Sequence, residues 1–154
     1  GRIDDETTVN IGILEGGIAR NIISDRCVLK GEVRSLNHLR AVSTIEEIEH
    51  KFQETTISHG AVLDFETELG CTAYHVEGNH PVVQRFCESC KKAAVNAEFI
   101  DTFGGSDNNN FMRHGITGIV IACGMNQVHS CNEFSSIYDL EKCSEIVYHL
   151  LTMN

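Results

Sequence analysis

His129, in the stretch "CGMNQVHSCNEF", follows a Gly-containing turn and precedes an acidic residue. A neutral imidazole in a polar loop is a common metal ligand, but a catalytic metal takes about three protein ligands. No HxxxH or HxH pair accompanies it: His38, His50, His59, His114 and His149 fall on helical patterns or helix ends, and His75 and His80 flank a loop. On the residues alone His129 is either a ligand completed from elsewhere or a surface residue. Asn21 in "ARNIISD" and Arg34 in "GEVRS" offer an amide for a polarised carbonyl and a guanidinium for a carboxylate. They read equally as a turn cap and a surface ion pair. In "FGGSDNNNF", Gly104 and Gly105 let backbone N–H groups approach a ligand with no Cβ in the way, and Ser106 and Asp107 stand at the mouth of a helix. A tight turn capped by Ser106 or Asp107 is the alternative, and the GxxxxGK[ST] phosphate loop is missing.

Seven cysteines, an odd number without regular spacing, read as free thiols in a reducing cytosol. Cys87 and Cys90 of "CESC" lie inside an amphipathic helical pattern with no second CxxC, which assigns them to packing and not to zinc. The formal net charge is −10, from 22 acidic against 12 basic residues, so nucleic acid and anionic membrane surfaces are excluded as partners. No apolar run reaches the ~20 residues of a membrane span, and no signal peptide opens the chain. A start at Gly1 in place of Met points to further sequence upstream.

The elements that must position these residues follow from periodicity. Alternation of Val9, Ile11 and Ile13 predicts a strand over 8–14, and "DRCVLKGEVRS" a second strand whose Lys30, Glu32 and Arg34 face solvent. Leu36, Leu39, Val42, Ile45, Ile48 and Phe52 then recur at helical spacing, with Ser35 or Asn37 as N-cap and Gly60 as the stop. Residues 61–67 alternate again as a third strand with an acidic outer face. Beyond Tyr74 the pattern predicts a helix opened by Asn79 and Pro81 over 80–95 and a short strand into "FGGSD". A short helix ending at Gly115, the apolar strand "ITGIVIAC", and a last helix with a stripe of Leu140, Cys143, Val147, Leu150 and Leu151 follow. The boundary falls near residue 73, and a β-β-α-β piece and half of an α/β sheet each look incomplete.

Three collinear stretches, "ETTVNIGILEGGIARNIISDRCVLKGEVRSL", "FGGSDNNNFMRHGI" and "GMNQVHSCNEF…IYDLEK", resemble the C-terminal half of peptidase T-like proteins. These are zinc-dependent exopeptidases and aminoacylases with a dimerising lid domain. The resemblance implies an α/β fold in two parts. Residues 1–72 would be a partial ferredoxin-like lid, β-β-α-β without its first strand and helix. Residues 73–154 would be the closing segment of a doubly wound catalytic domain. It further implies two zinc ions per complete site, with His129 the last ligand and Asn21 reaching the substrate carbonyl. Arg34 would clamp the terminal carboxylate, and Gly104, Gly105, Ser106 and Asp107 would contact substrate. The partners implied are a short peptide and, through the lid, a second copy of the protein, in the cytoplasm.

The HxD motif, the bridging aspartate, the paired glutamates and the lid histidine of that pattern belong before Gly1, so the chain alone is expected to be inactive. Local departures are Ser24 where proline is usual, Asn108–Asn110 for "AN", and "SCNE" for "TTEE". A non-catalytic dimerisation or peptide-binding module, and another amide hydrolase such as an aminoacylase or carboxypeptidase, remain the alternatives.

Overall fold

The computed structural model describes residues 1–153. Two compact units divide the chain: Gly1–Tyr74 with Thr102–Gly104, and His75–Asp101 with the residues from Gly105 on.

The first unit is built on a two-stranded antiparallel ladder, β1 (Thr7–Gly16) against β2 (Cys27–Ser35). The register pairs Thr7 with Ser35, Thr8 with Arg34 and Asn10 with Glu32, and shifts by a bulge between Ile11 and Ile13. Beside that bulge a Cβ on Gly31 would lie 2.5 Å from the Asn10 carbonyl oxygen and 2.6 Å from the Ile11 Cδ1. Only glycine lets the two backbones approach this closely. Helix α1 (His38–Ser58) packs on β2. It opens at Asn37, whose side chain accepts from the Leu39 and Arg40 amides, and it ends before Gly60 at φ +68°. Thr44 is its buried residue, with Oγ1 donating to the Arg40 carbonyl. Arg40 in turn ties the helix to the first turn of the chain through Asp4, at 3.1 Å. This is the β-β-α arrangement expected of a lid.

The third strand expected over 61–67 forms no ladder among the described residues. Its alternation survives. Leu63 and Phe65 are half-buried and Phe65 meets Phe52 of α1, ring centroids 6.5 Å apart, while Val62 and Asp64 face out. Side-chain period decides which residues turn inward, but a strand also needs a neighbour to take its N–H and C=O groups. The same explanation covers the apolar segment 116–123, where Ile119, Ile121 and Cys123 are half-buried and Val120 is 57% exposed. It also covers the short strand expected before "FGGSD", which is likewise unpaired.

The second unit contains α2 (Pro81–Lys92), α3 (Asp107–Arg113), a short hairpin of β3 (Met125–Asn126) and β4 (Phe134–Ser135), and α4 (Ile137–Thr152). The N-cap of α2 is His80 and not Asn79; Pro81 takes the first helical position, where its missing N–H costs nothing. Helices α2 and α4 pack together around Cys90, Ala93 and Ile146, flanked by Phe86, Val95, Ala97 and Leu150. Arg85 fastens the end of α4 by donating to the carbonyls of Leu150 and Met153. Cys90 is buried and Cys87 half-buried, as helix-face packing requires. The stripe expected on α4 is displaced. Ile146 and Leu150 take the contact with α2, whereas Leu140 is 48% and Leu151 80% exposed. Among the described residues the contact with α2 is carried by the Ile146 and Leu150 side of the helix.

Gly31→Ala is expected to lower stability by about 1–3 kcal/mol, because its Cβ meets a backbone oxygen that has no room to yield. Gly78→Ala, where nothing lies within 4 Å of the added Cβ, is the control. Urea unfolding midpoints of the two variants check the difference.

Candidate functional site

Arg34 and Asn21 belong to the first unit. Arg34 extends from the solvent face of β2, and its guanidinium is fully engaged along one edge. Nε donates to Glu32 Oε1 at 2.8 Å and Nη2 to Glu32 Oε2 at 3.0 Å. This is the two-bonded fork that makes arginine selective for carboxylates. Nη1 donates to the Phe103 carbonyl at 3.2 Å, next to Gly104, so the chain brings Arg34 to the first residue of the Gly-Gly loop. The ring of Phe103 lies under the Arg2 guanidinium, 5.0 Å from the centroid, which holds the same segment from a second side. Hydrogen bonding to Glu32, then its charge, pushes the Arg34 pKa up from its already high value, so the side chain stays cationic. Asn21 is exposed in the turn after β1 and is not joined to Arg34 by any hydrogen bond.

Gly105, Ser106, Asp107 and His129 belong to the second unit. Ser106 is the N-cap of α3, its N–H donating to Asn109 Oδ1 at 2.8 Å while Asn109 N–H donates to the Ser106 carbonyl. Asp107 sits exposed in the first turn of that helix, where a negative side chain suits the helix dipole. Asn108 is buried and donates to the Gly118 carbonyl at 3.0 Å, fixing α3 to the apolar segment. The capping interpretation of Ser106 is therefore realised.

His129 lies in the loop between β3 and β4, exposed, with φ +63°, and Gln127 nearby has φ +51°. Left-handed backbone at a residue other than glycine costs on the order of 1 kcal/mol or more and persists where surroundings impose it. Here the His129 N–H donates to Glu133 Oε2 at 2.9 Å, closing the loop with a charged acceptor. Gly124, at φ +75°, starts the hairpin close against Asp139 of α4. Among the described residues no group of three or more His, Cys, Asp or Glu is placed to hold a metal ion. His129 is therefore not grouped with two further side chains of these types among the described residues. Cys90 is no substitute, since burial, then Cys87, pushes its thiol pKa up and disfavours the thiolate a metal requires.

Two contributors were not singled out from sequence. Glu32 is two residues from Arg34 on the same strand face, a spacing visible in the alternation. Glu133 is four residues beyond His129, and nothing in residue type reveals that it closes on a backbone amide.

Residues 1–59, which hold the β-β-α unit, fit the family model of the peptidase dimerisation domain. The chain is peptidase T-like in fold. It is 30% identical to aminopeptidase PepT from Bacillus cereus, with a TM-score of 0.86 over 97% of this chain and 40% of that one. It is 28% identical to a tripeptidase from Staphylococcus aureus, with a TM-score of 0.89 over 99% of this chain and 41% of that one. An uncharacterised protein of Bacillus subtilis, YqjE, is 32% identical over 151 residues, which is 98% of this chain and 41% of the relative. The chain thus spans about two fifths of the length of the proteins it matches. Among the described residues no helix is long and apolar enough to cross a membrane.

Replacing Glu133 by Ala is expected to speed amide hydrogen exchange at His129 roughly two- to tenfold, the value of one hydrogen bond to a carboxylate in an exposed loop. Glu133→Gln retains an acceptor oxygen and is expected to exchange more slowly than the Ala variant.

Proposed function

We propose that this chain is the C-terminal portion of a peptidase T-like exopeptidase that removes the N-terminal residue of short peptides. Residues 1–72 act as the lid and 73–154 as the closing segment of the catalytic domain. The observation that carries this reading is the likeness to a tripeptidase over 99% of the chain. Asn21 is assigned to the developing oxyanion through its side-chain amide, a contribution of about 10²–10³ in rate for donors of this kind. Arg34 is assigned to the free carboxylate of the peptide, in keeping with its bidentate hold on Glu32. Gly104, Gly105, Ser106 and Asp107 form the loop assigned to substrate contact, and His129 is assigned as one ligand of a two-zinc centre. The remaining ligands and the general base are assigned, by the same resemblance, to the part of the complete protein that precedes this chain. Its contribution is therefore recognition, orientation and one imidazole.

A second reading, a dimerisation module without catalysis of its own, is favoured by the family match of residues 1–59. The two readings agree that the chain alone does not hydrolyse peptides and that the lid pairs with its twin in a homodimer. They differ in what the chain does when completed.

Incubated with trialanine and added zinc, the purified chain is expected to release no alanine above blank. Joined to the segment that precedes the equivalent region in the Staphylococcus aureus tripeptidase, it is expected to gain turnover that Arg34→Ala reduces at least tenfold. A folded chimera with no turnover would favour the module, and turnover by the chain alone would overturn both readings.

A further inference from the structure

A guanidinium carries five N–H groups and no acceptor. In Arg34 three of these are used: Nε–H and one Nη2–H on Glu32, and one Nη1–H on the Phe103 carbonyl. Five less three leaves two, one on each terminal nitrogen, which is the number a bidentate carboxylate takes. Glu32 reaches Arg34 from two positions away on the same face of β2, and the residues opposite the pair on β1, Asn10 and Thr8, are uncharged. The fork is thus a local property of one strand.

We propose that Glu32 is a positioning residue for carboxylate recognition. Together with the Phe103 carbonyl it fixes the plane of the Arg34 guanidinium, so that the two remaining N–H groups are offered together to the C-terminal carboxylate of a peptide. This rests on the assignment of Arg34 as the carboxylate contact. Two effects of Glu32 oppose each other. Its negative charge offsets the attraction Arg34 exerts on an incoming anion, while its hydrogen bonds remove in advance the rotamer freedom that an unheld arginine loses on binding. The Arg34 and Glu32 side chains are 49% and 54% exposed, so solvent and salt screen the charge effect, while the orienting effect acts through direct hydrogen bonds of 2.8 and 3.0 Å.

The test is an NMR titration of the chain with trialanine and with its C-terminal amide, following the Arg34 Nε–H signal. The wild-type chain is expected to respond to the acid and not to the amide. Glu32→Ala is expected to raise the Kd for the acid roughly two- to tenfold, with Glu32→Gln, which keeps one acceptor oxygen, losing less. The rest of the spectrum reports that the fold is kept, and the near-isosteric Gln variant carries the test if the Ala variant does not fold. Acid binding in both variants as tight as in the wild type, or tighter, would make Glu32 a bystander or a competitor and overturn the proposal while leaving the Arg34 assignment intact. A wild-type chain that does not distinguish acid from amide would remove the Arg34 assignment, and the role of Glu32 with it.

Discussion

Everything in the first unit depends on the pairing of two antiparallel strands. The β1–β2 ladder sets which residues of β2 face helix α1 and which face solvent, and a one-residue slip would exchange the two sets. With the observed register Val33 is half-buried while Glu32 and Arg34 project together into water. Gly31 sits at the bulge where the register shifts, so a position with no room for a side chain lies between the fork and the turn that carries Asn21. The geometry of the Glu32–Arg34 fork is thus inherited from backbone pairing.

The second unit depends on less. Its buried apolar set amounts to a few side chains between α2 and α4, and the larger part of the α4 apolar arc is uncovered. Hydrogen bonds compensate in part: Arg85 closes the last turn of α4, Lys142 donates to the Ala93 carbonyl at 3.1 Å, and Asn108 anchors α3. The loop bearing His129 is held by similar means, through Glu133 and through the hairpin of β3 and β4. Residues assigned to chemistry therefore sit on polar, locally fastened segments, where loops commonly carry function.

What was legible in the sequence is what local physics decides. Asn37 as a cap, Gly60 as a stop, the two first strands and the packing role of Cys90 all follow from backbone propensity and period, and each is found. His80 displacing Asn79 as the cap of α2 is a one-residue slip of the kind that proline at the first helical position permits. Alternation over 61–67 and a continuous apolar run over 116–123 both suggest strands, but neither pattern supplies a ladder partner. The α4 stripe erred for a related reason: period identifies an apolar arc, and only the neighbour decides which part of it is covered. At the site, Arg34 is visible as a residue type, whereas its pairing with Glu32 of the same strand depends on side-chain rotamers that residue type does not specify. The left-handed backbone of His129 is imposed by Glu133 and the hairpin, and no propensity announces it.

The thiols add a practical consequence. Cys27, Cys71 and Cys131 are free and exposed, on β2, after the extended segment and in the His129 loop. In air such groups oxidise and link one molecule to another. A covalent pair produced in storage would migrate at twice the mass without any non-covalent interface. Mass measurements of this protein therefore distinguish true association from chemical ageing only when a reductant is present throughout.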